Sequence, residues 1–578
     1  SAASDVYKRQ FQYYAFLDEE DFVDKNSVLT AEGIISYLIS HRRFPIYHSQ
    51  IHVLGYGHCG QVIVRDFIAL QAYVHVGIRN RQLFEDIEKA GAKPYHLDHM
   101  DLSDCDVLII GGGISGISTA YYLAETGNDV ILLEADCIGY GASGRNTGKV
   151  SAQHGIVYHE LIEKHGKEMA QLYYESHQKA IDAIEQLVAT YDIDCDFKRC
   201  DTLLYTEEKQ QVSLYQKEYE AYETLHIPSS YISSHQDYPQ LQAGLQMKHQ
   251  AVFDPYSFVV QFSKVVSEKG VSIYEHSPVS ELSKTEDGLY KVSVNGTFVH
   301  ARYVILATQY PIVDYGNLYF SYMYCEQQTL YTAKQKKTDR MVSLSTDTYP
   351  ISIGNHQDKH IIACKSHRNG YEPNFRFPSS FHTMIPNQLQ TPWTSSDFVS
   401  IDHLPLIGKL EKYNDQLLFA SGFSKWGNTT GIVAGKILAS CVQNKPSSLR
   451  MLFSPQRKKG TFSWNYVKLN LQNAAMFFRS RWIHMDDEMP EKEEGKPVWI
   501  NHHIYGAYRD ENNELFIVDI TCPHAGCIAQ FNKEDKSWDC PCHGSRFTYK
   551  GDIIKGPATC SLSSIHEDKN KCDPHVIR

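Results

Sequence analysis

Long apolar runs are scarce in this chain. The longest, residues 107–124, is interrupted by Gly111, Gly112, Gly113 and Gly116 and flanked by Asp106 and Glu125, so no stretch reads as an integral membrane segment. Positive charge is short as well: 56 Lys and Arg stand against 68 Asp and Glu, and a net charge of −12 repels polyanions, which argues against nucleic acid as a partner. Repeats of solenoid period and low-complexity tracts are absent. The first ten residues hold no Met start, no apolar core and no small-residue cleavage site, so no secretory signal is expected, a cytoplasmic location is, and that peptide reads as a fragment end. What is present, 42% hydrophobic and 21% charged residues over 578 positions, is ordinary globular usage with material for several domains.

The 14 cysteines are unevenly spread, eight before residue 522 and six from there on. Scattered cysteines behave as small buried hydrophobes, whereas a dense group beside histidines suggests metal ligands. Upstream, two β-α-β patterns begin within about 60 residues of each other. The first has strand 51–54, the turn Gly55-x-Gly57-x-x-Gly60, a helix to Leu70 and strand 73–76. The second has strand 106–110, the turn Gly111-x-Gly113-x-x-Gly116 with Ile114 and Ser115 inside it, a helix to Thr126 and strand 130–134. A long helical region then runs to about Tyr191, and strand character recurs at 202–205, 271–274, 290–294 and 303–307. Residues 485–497 are acidic and bracketed by Pro490 and Pro497, the composition of a linker. The segment beyond them is turn-rich and strand-like.

That last segment contains Cys522-Pro523-His524-Ala525-Gly526-Cys527 and, after a spacer, Cys540-Pro541-Cys542-His543-Gly544-Ser545. Each loop offers one soft thiolate and one imidazole. Such a set also suits zinc. Zinc does not account for the additional Cys527 and Cys542, or for the near-identical form of the two loops. The pair resembles the Rieske family over about 498–562, including the trailing Gly556-Pro557-Ala558. The resemblance implies that Cys522 and Cys540 hold one iron of a [2Fe-2S] cluster, that His524 and His543 hold the other, and that Cys527 and Cys542 form a disulfide tying the loops together. Neutral imidazole in place of thiolate raises the potential into roughly −150 to +300 mV. High-potential relatives have a serine and a tyrosine hydroxyl donating to the sulfurs; Ser545 is present, but Phe547 stands at the tyrosine place, so a potential below that of quinol-oxidising relatives is expected.

In the second β-α-β unit, Glu134 lies 23 residues after Gly111, at the end of the next strand. Glycines there let backbone N–H groups and a helix N-terminus approach a diphosphate, and the carboxylate can accept from ribose hydroxyls; NAD and FAD fit equally. Further blocks decide between them: residues 141–148 (Gly-Ala-Ser-Gly-Arg-Asn-Thr-Gly), strand 304–308, Asp402-His403-Leu404-Pro405-Leu406-Ile407-Gly408, and the turn Gly422-Phe423-Ser424-Lys425-Trp426-Gly427. Together they resemble the FAD-dependent oxidoreductases of the D-amino-acid oxidase and glycine oxidase type over about 105–450. That resemblance implies FAD, with Gly111, Gly113, Ile114, Ser115 and Gly116 at the diphosphate, Glu134 at the ribose, Ser143 and Gly144 near the flavin ring, Val279 by the adenine, and Gly422, Trp426 and Gly427 closing over the isoalloxazine. No His or Cys occupies 144–146, where some relatives tether flavin, so non-covalent binding is expected. His154, Lys425 and Trp426 lie near the ring in such a fold, yet a lone histidine is more often a satisfied core residue, and no general base is assigned; the catalytic residues stay unknown.

The first unit has Ile78 and Arg79 where an acid would stand, which favours a 2′-phosphate and so NADP. Residues 31–110 resemble the NADP-binding part of the dipicolinate synthase A subunit. In that family 105–110 would be a later strand of the same sheet, while here it must open the FAD sheet. The N-terminal part is therefore expected to be truncated, joined at the shared strand, and without activity.

The expected fold class is α/β. It comprises a truncated N-terminal Rossmann-like segment (1–104), an FAD-binding Rossmann-like domain with an inserted α+β substrate domain (105–485), a linker (486–497) and a small all-β Rieske domain (498–578). The expected function is oxidation of a small-molecule substrate, an amine or amino acid, by FAD, with single electrons passing to or from the cluster and an unidentified acceptor or donor beyond it. A Rieske oxygenase is disfavoured because no two-histidine, one-carboxylate set for mononuclear iron stands out. A non-catalytic redox sensor carrying both groups is the alternative.

Overall fold

A computed structural model describes residues 20–564, apart from 42–45, 48, 97–101, 286–287, 311, 314–321, 335–341, 358, 370–374, 378–388, 412–413, 459–465, 473–474, 476–487 and 502. The N-terminal peptide, part of the acidic linker and the last fourteen residues thus lie outside the described residues. The chain divides into two compact units, residues 1–104 and 105–578.

The first unit is a three-stranded parallel sheet, Gln50–Leu54, Tyr73–Ile78 and Lys93–His96 in spatial order. Its core gathers Val53, Val64, Phe67, Val74, Val76 and Ile87. The turn after the first strand places Gly55 at φ +102°, a left-handed conformation that glycine adopts without steric cost. The helix His58–Ala69 follows from Gly57.

The second unit is built on two large sheets. The nucleotide sheet runs Ser272–Tyr274, Val130–Leu133, Leu102–Ile110, Thr297–Leu306, Tyr290–Val294, Val279–Lys284, and Thr297–Leu306 also pairs in parallel with Asn414–Ser421. Its central stretches 107–110, 130–133 and 304–306 are wholly apolar and buried because helices cover them. Ile114–Ala124 is buried along nearly its whole length, and Gly427–Val442 packs on it closely enough that a Cβ at Gly431 would lie 2.6 Å from Ile114 and one at Gly435 2.8 Å from Ser118. The helix Pro255–Glu268 starts at Asp254, whose carboxylate accepts from the Tyr256 and Ser257 amides, a cap of about 1 kcal/mol.

The second, nine-stranded sheet holds Lys149–Val150, Lys198–Thr206, Ala243–Val252 and a run of long strands between Met323 and Ser400. Three of the segments with strand character in sequence, 271–274, 290–294 and 303–307, therefore sit in the nucleotide sheet and not in the inserted layer. Much of the inserted layer comes instead from 323–400, whose first strand, Met323–Lys334, alternates buried and half-buried residues over 323–329. Two small antiparallel sheets near the C-terminus, Gly495–Ile500, His503–Arg509, Leu515–Val518 and Gln530–Asn532, Ser537–Asp539, Arg546–Thr548, Ile553–Lys555, enclose Trp538, Phe547 and Ile520. Among the described residues no helix is long and apolar enough to cross a membrane.

Candidate functional site

The turn 111–116 is shaped by steric need. Gly111 has φ +112°, and a Cβ there would lie 2.6 Å from the Ala307 carbonyl oxygen. A Cβ on Gly113 would lie 2.9 Å from Ser143 Oγ, and one on Gly116 would collide with Gly111 O. Backbone thus fills the space that side chains would take, and the N-terminus of Ile114–Ala124 faces the mouth of the turn. No side chain of the N-cap residue Gly113 caps that helix; the Ile114 amide donates instead to Ser143 Oγ at 3.0 Å. The remaining first-turn amides have no intrahelical acceptor, the arrangement that receives a diphosphate.

Glu134 stands at the end of the neighbouring strand. One carboxylate oxygen accepts from Gly112 N at 2.6 Å, the other from Asp136 N at 3.0 Å. Burial pushes its carboxyl above the ordinary range. Val279 opens the strand Val279–Lys284 close by, since Ser277 N donates to Glu134 O at 2.7 Å. Ser143 and Gly144 form a single 3-10 turn, and Gly144 leaves room for Tyr256.

At the other end, the turn 422–427 leads into Gly427–Val442. Asn428 donates to the Lys149 carbonyl and exchanges hydrogen bonds with Asn146, joining that helix start to the 141–148 loop. Trp426 stacks on His154 with centroids 4.8 Å apart. Both nitrogens of His154 are engaged, one with Tyr173 OH at 2.6 Å and the other with the Ser151 carbonyl at 2.7 Å, and burial lowers its pKa well below the usual value. It is a satisfied core histidine. Lys425 is exposed and pairs with Glu326 at 2.7 Å.

Lys149, which sequence reasoning did not single out, is buried beside this turn. Its Nζ donates to Ser343 O at 3.1 Å and to Ser352 Oγ, and it lies 5.6 Å from the Trp426 ring. Burial pushes its pKa down to about 7. Its position immediately after Gly148 was the available signal; its surroundings come from the distant strands Val342–Ser345 and Ser352–His356.

The second centre lies between the two C-terminal loops. Cys522 and Cys540 hydrogen-bond each other, a contact that leads in pulling the Cys522 thiol below its ordinary value, and Ser545 also donates to Cys522. Ser545 Oγ is held in turn by the Ala558 amide at 3.0 Å. The imidazoles of His524 and His543 meet on their own side, Nδ1 to Nδ1 at 3.1 Å. A disulfide joins Cys527 to Cys542, as the Rieske resemblance implied. Among the described residues, Cys522, His524 and His543 do not form a group whose donor atoms all lie within 4.8 Å of one another. A single tetrahedral ion would gather them so; a two-iron cluster, with thiols at one end and imidazoles at the other, separates them. The donor set fits a Rieske centre.

Known proteins agree with both centres. Residues 106–441 match the profile described as FAD dependent oxidoreductase, more than half of the chain. The chain belongs to that family. Residues 482–566 match the Rieske [2Fe-2S] domain, so this FAD dependent oxidoreductase also carries an iron-sulfur domain. YhfW of Bacillus subtilis strain 168, which carries the description Rieske 2Fe-2S iron-sulfur protein, is 33% identical over 488 residues, covering 81% of this chain and 94% of YhfW. Gamma-glutamylputrescine oxidoreductase of Escherichia coli K12 is 25% identical over 370 residues, 59% of this chain and 84% of that enzyme. The dipicolinate synthase component of B. subtilis matches over 94 residues at 37%, only 32% of its length. In fold, glycine oxidase from Geobacillus kaustophilus covers 61% of this chain and 98% of its own, with a TM-score of 0.51 at 15% identity. The chain is thus an oxidoreductase of a family that binds FAD, with a domain type that binds a [2Fe-2S] cluster.

Proposed function

We propose that this enzyme oxidises a small amine or amino acid at FAD and relays the electrons singly through its Rieske cluster. Bound FAD accepts an electron pair and releases it in steps, and the cluster accepts one electron at a time. The observation that carries the relay is that the cluster loops pack on the oxidase fold of the same chain: Asn369, in the long-strand region, donates its side-chain amide to the Cys540 carbonyl at 2.6 Å.

In this reading, Cys522 and Cys540 hold one iron and His524 and His543 the other. Gly111, Gly113, Ile114, Ser115 and Gly116 receive the FAD diphosphate with Ser143 beside them, Glu134 accepts from the ribose, Val279 borders the adenine, and Gly144, Gly422, Trp426 and Gly427 border the ring. His154 braces Trp426, held there by hydrogen bonds at both nitrogens. Lys149 is the group suited to exchanging a proton near neutrality. The enclosed position of its amine also suits a carboxylate-bearing substrate, since a buried cation gains most from an anion brought beside it. The E. coli relative named for gamma-glutamylputrescine supports an amine substrate.

The test is anaerobic addition of single amines and amino acids to the holoenzyme. Flavin bleaching followed by the electron paramagnetic signal of a reduced [2Fe-2S] centre is the expected result; bleaching with a cluster that stays oxidised would sink the relay. Cys540→Ser and His543→Ala should each abolish the cluster signal and the matching iron content. Zinc in place of iron in the reconstituted protein would overturn the ligand assignment.

A further inference from the structure

The two cluster histidines occupy unequal places although their loops are near copies. His524 is exposed, whereas His543 is only 3% exposed, and the two rings meet edge-on with centroids 4.8 Å apart. The cover over His543 comes from the oxidase fold. Tyr310, itself 4% exposed, sets its ring 6.2 Å from His543 and 6.3 Å from His524, and packs against Phe398 at 5.3 Å. Gly544 sits so close to that surface that a Cβ there would lie 2.6 Å from Cys325 Sγ and 3.5 Å from the Phe398 ring.

The main chain that carries these two aromatic residues reaches the flavin side. Tyr310 follows the strand Thr297–Leu306 and lies three residues beyond Ala307, whose carbonyl abuts Gly111. Ser421, next to Gly422, donates its hydroxyl to Gln309 O. The Ser424 amide donates to Phe398 O at 3.2 Å and the Lys425 amide to Asp397 Oδ2 at 2.6 Å, so the 422–427 turn is bonded directly to the strand that presents Phe398. From the cluster domain, the half-buried Lys555 donates to Ser396 Oγ at 2.8 Å and lies 5.4 Å from the Phe398 ring. Packing on both sides holds the pair in one geometry.

We propose that Tyr310 and Phe398 form the electron bridge between the flavin turn and the cluster, entering at His543 and leaving His524 as the outward edge. The inference rests on the relay proposed above. One electron leaves reduced flavin, crosses the aromatic pair and converts the histidine-held iron from ferric to ferrous, while the flavin proton goes to solvent. A second electron follows once a one-electron oxidant outside the chain has drawn the first away. Tyr310 acts here through its ring: the contacts to both imidazoles are ring contacts, and no proton transfer is required of its hydroxyl.

The experiment uses holoenzyme carrying FAD and cluster, with the bound flavin reduced by a light flash in the presence of EDTA and the cluster followed by freeze-quench paramagnetic resonance. In the unaltered protein the cluster signal should trail flavin reduction. Tyr310→Phe, which keeps the ring, should match it, while Tyr310→Leu and Phe398→Leu should slow cluster reduction by about tenfold. Dithionite should still reduce the cluster fully in every variant, and the dithionite-reduced Tyr310→Leu protein should show altered g values because the ring borders both imidazoles. If both leucine variants transfer as fast as the parent, the bridge is overturned and the relay stands. If the parent cluster stays oxidised beside reduced flavin, the relay falls and the bridge with it.

Discussion

Two glycine turns in this chain have the same backbone plan and different chemistry. Gly55 and Gly111 both take positive φ, at +102° and +112°, and a Cβ on Gly60 or on Gly116 would collide with the carbonyl oxygen of the first glycine. The spacing G-x-G-x-x-G therefore specifies a steric device. What the two turns face differs. At 111–116 the middle glycine lies under Ser143 and the first glycine under Ala307, and Glu134 accepts from Gly112. At 55–60, among the described residues, nothing lies within 4 Å of a Cβ built on Gly57 or on Gly55. The position matching Glu134, 23 residues beyond the first glycine, is the buried Ile78. A fingerprint makes room for a dinucleotide; the neighbours decide whether one is held.

The comparison breaks most visibly at the last glycine. Gly116→Val should strip the protein of flavin, weakening FAD binding by about a hundredfold or more, because the turn cannot keep its shape around a side chain at that distance. Absorbance of the purified protein near the flavin band checks it. Gly60→Val introduces the equivalent collision in the first unit and should leave flavin content unchanged; loss of flavin there would show that the first turn supports the second.

A smaller effect is expected at the acid. Glu134→Gln keeps the shape but leaves one acceptor oxygen where the carboxylate uses two, for Gly112 and Asp136, so about 1.5 to 3 kcal/mol of charged hydrogen bonding is at risk. Titration of apoprotein with FAD should give an affinity lower by roughly ten- to hundredfold. Burial raises the carboxyl pKa, and the ionised form is the one that accepts ribose hydroxyls. Affinity should therefore fall with falling pH, starting above the pH at which an exposed glutamate protonates, and Glu134→Gln should remove that dependence.

Legibility in the sequence follows the range of the interactions involved. The glycine turns and the two cluster loops are set by residues a few positions apart, or by two loops that announce each other by likeness, and they can be read directly, whereas the Cys527–Cys542 pairing came with the Rieske resemblance. The nine-stranded sheet was only partly readable: its strand Met323–Lys334 carries Gln327, Gln328 and Thr329 and pairs with partners up to 77 positions away, as Met323 does with Ser400. Lys149 left no mark beyond its place after Gly148, and Tyr310 left none. The first acquires its burial from strands near 343 and 352, the second its importance from a histidine at 543. No periodicity or spacing records a contact of that kind.

The smallest expected effect separates room from grip at the second turn. Ser143 Oγ accepts the Ile114 amide at 3.0 Å, a neutral hydrogen bond of about 1 kcal/mol. In Ser143→Ala that amide loses its protein acceptor, but it points into the mouth of the turn, where a bound diphosphate can take the hydrogen bond over. The loss in the apoprotein is thereby offset in the holoprotein. Ser143→Ala should change FAD affinity by no more than about fivefold while lowering the melting temperature of the apoprotein more than that of the holoprotein. Equal destabilisation of both forms would mean that the amide does not reach the cofactor, and that the 111–116 turn offers space without holding what enters it.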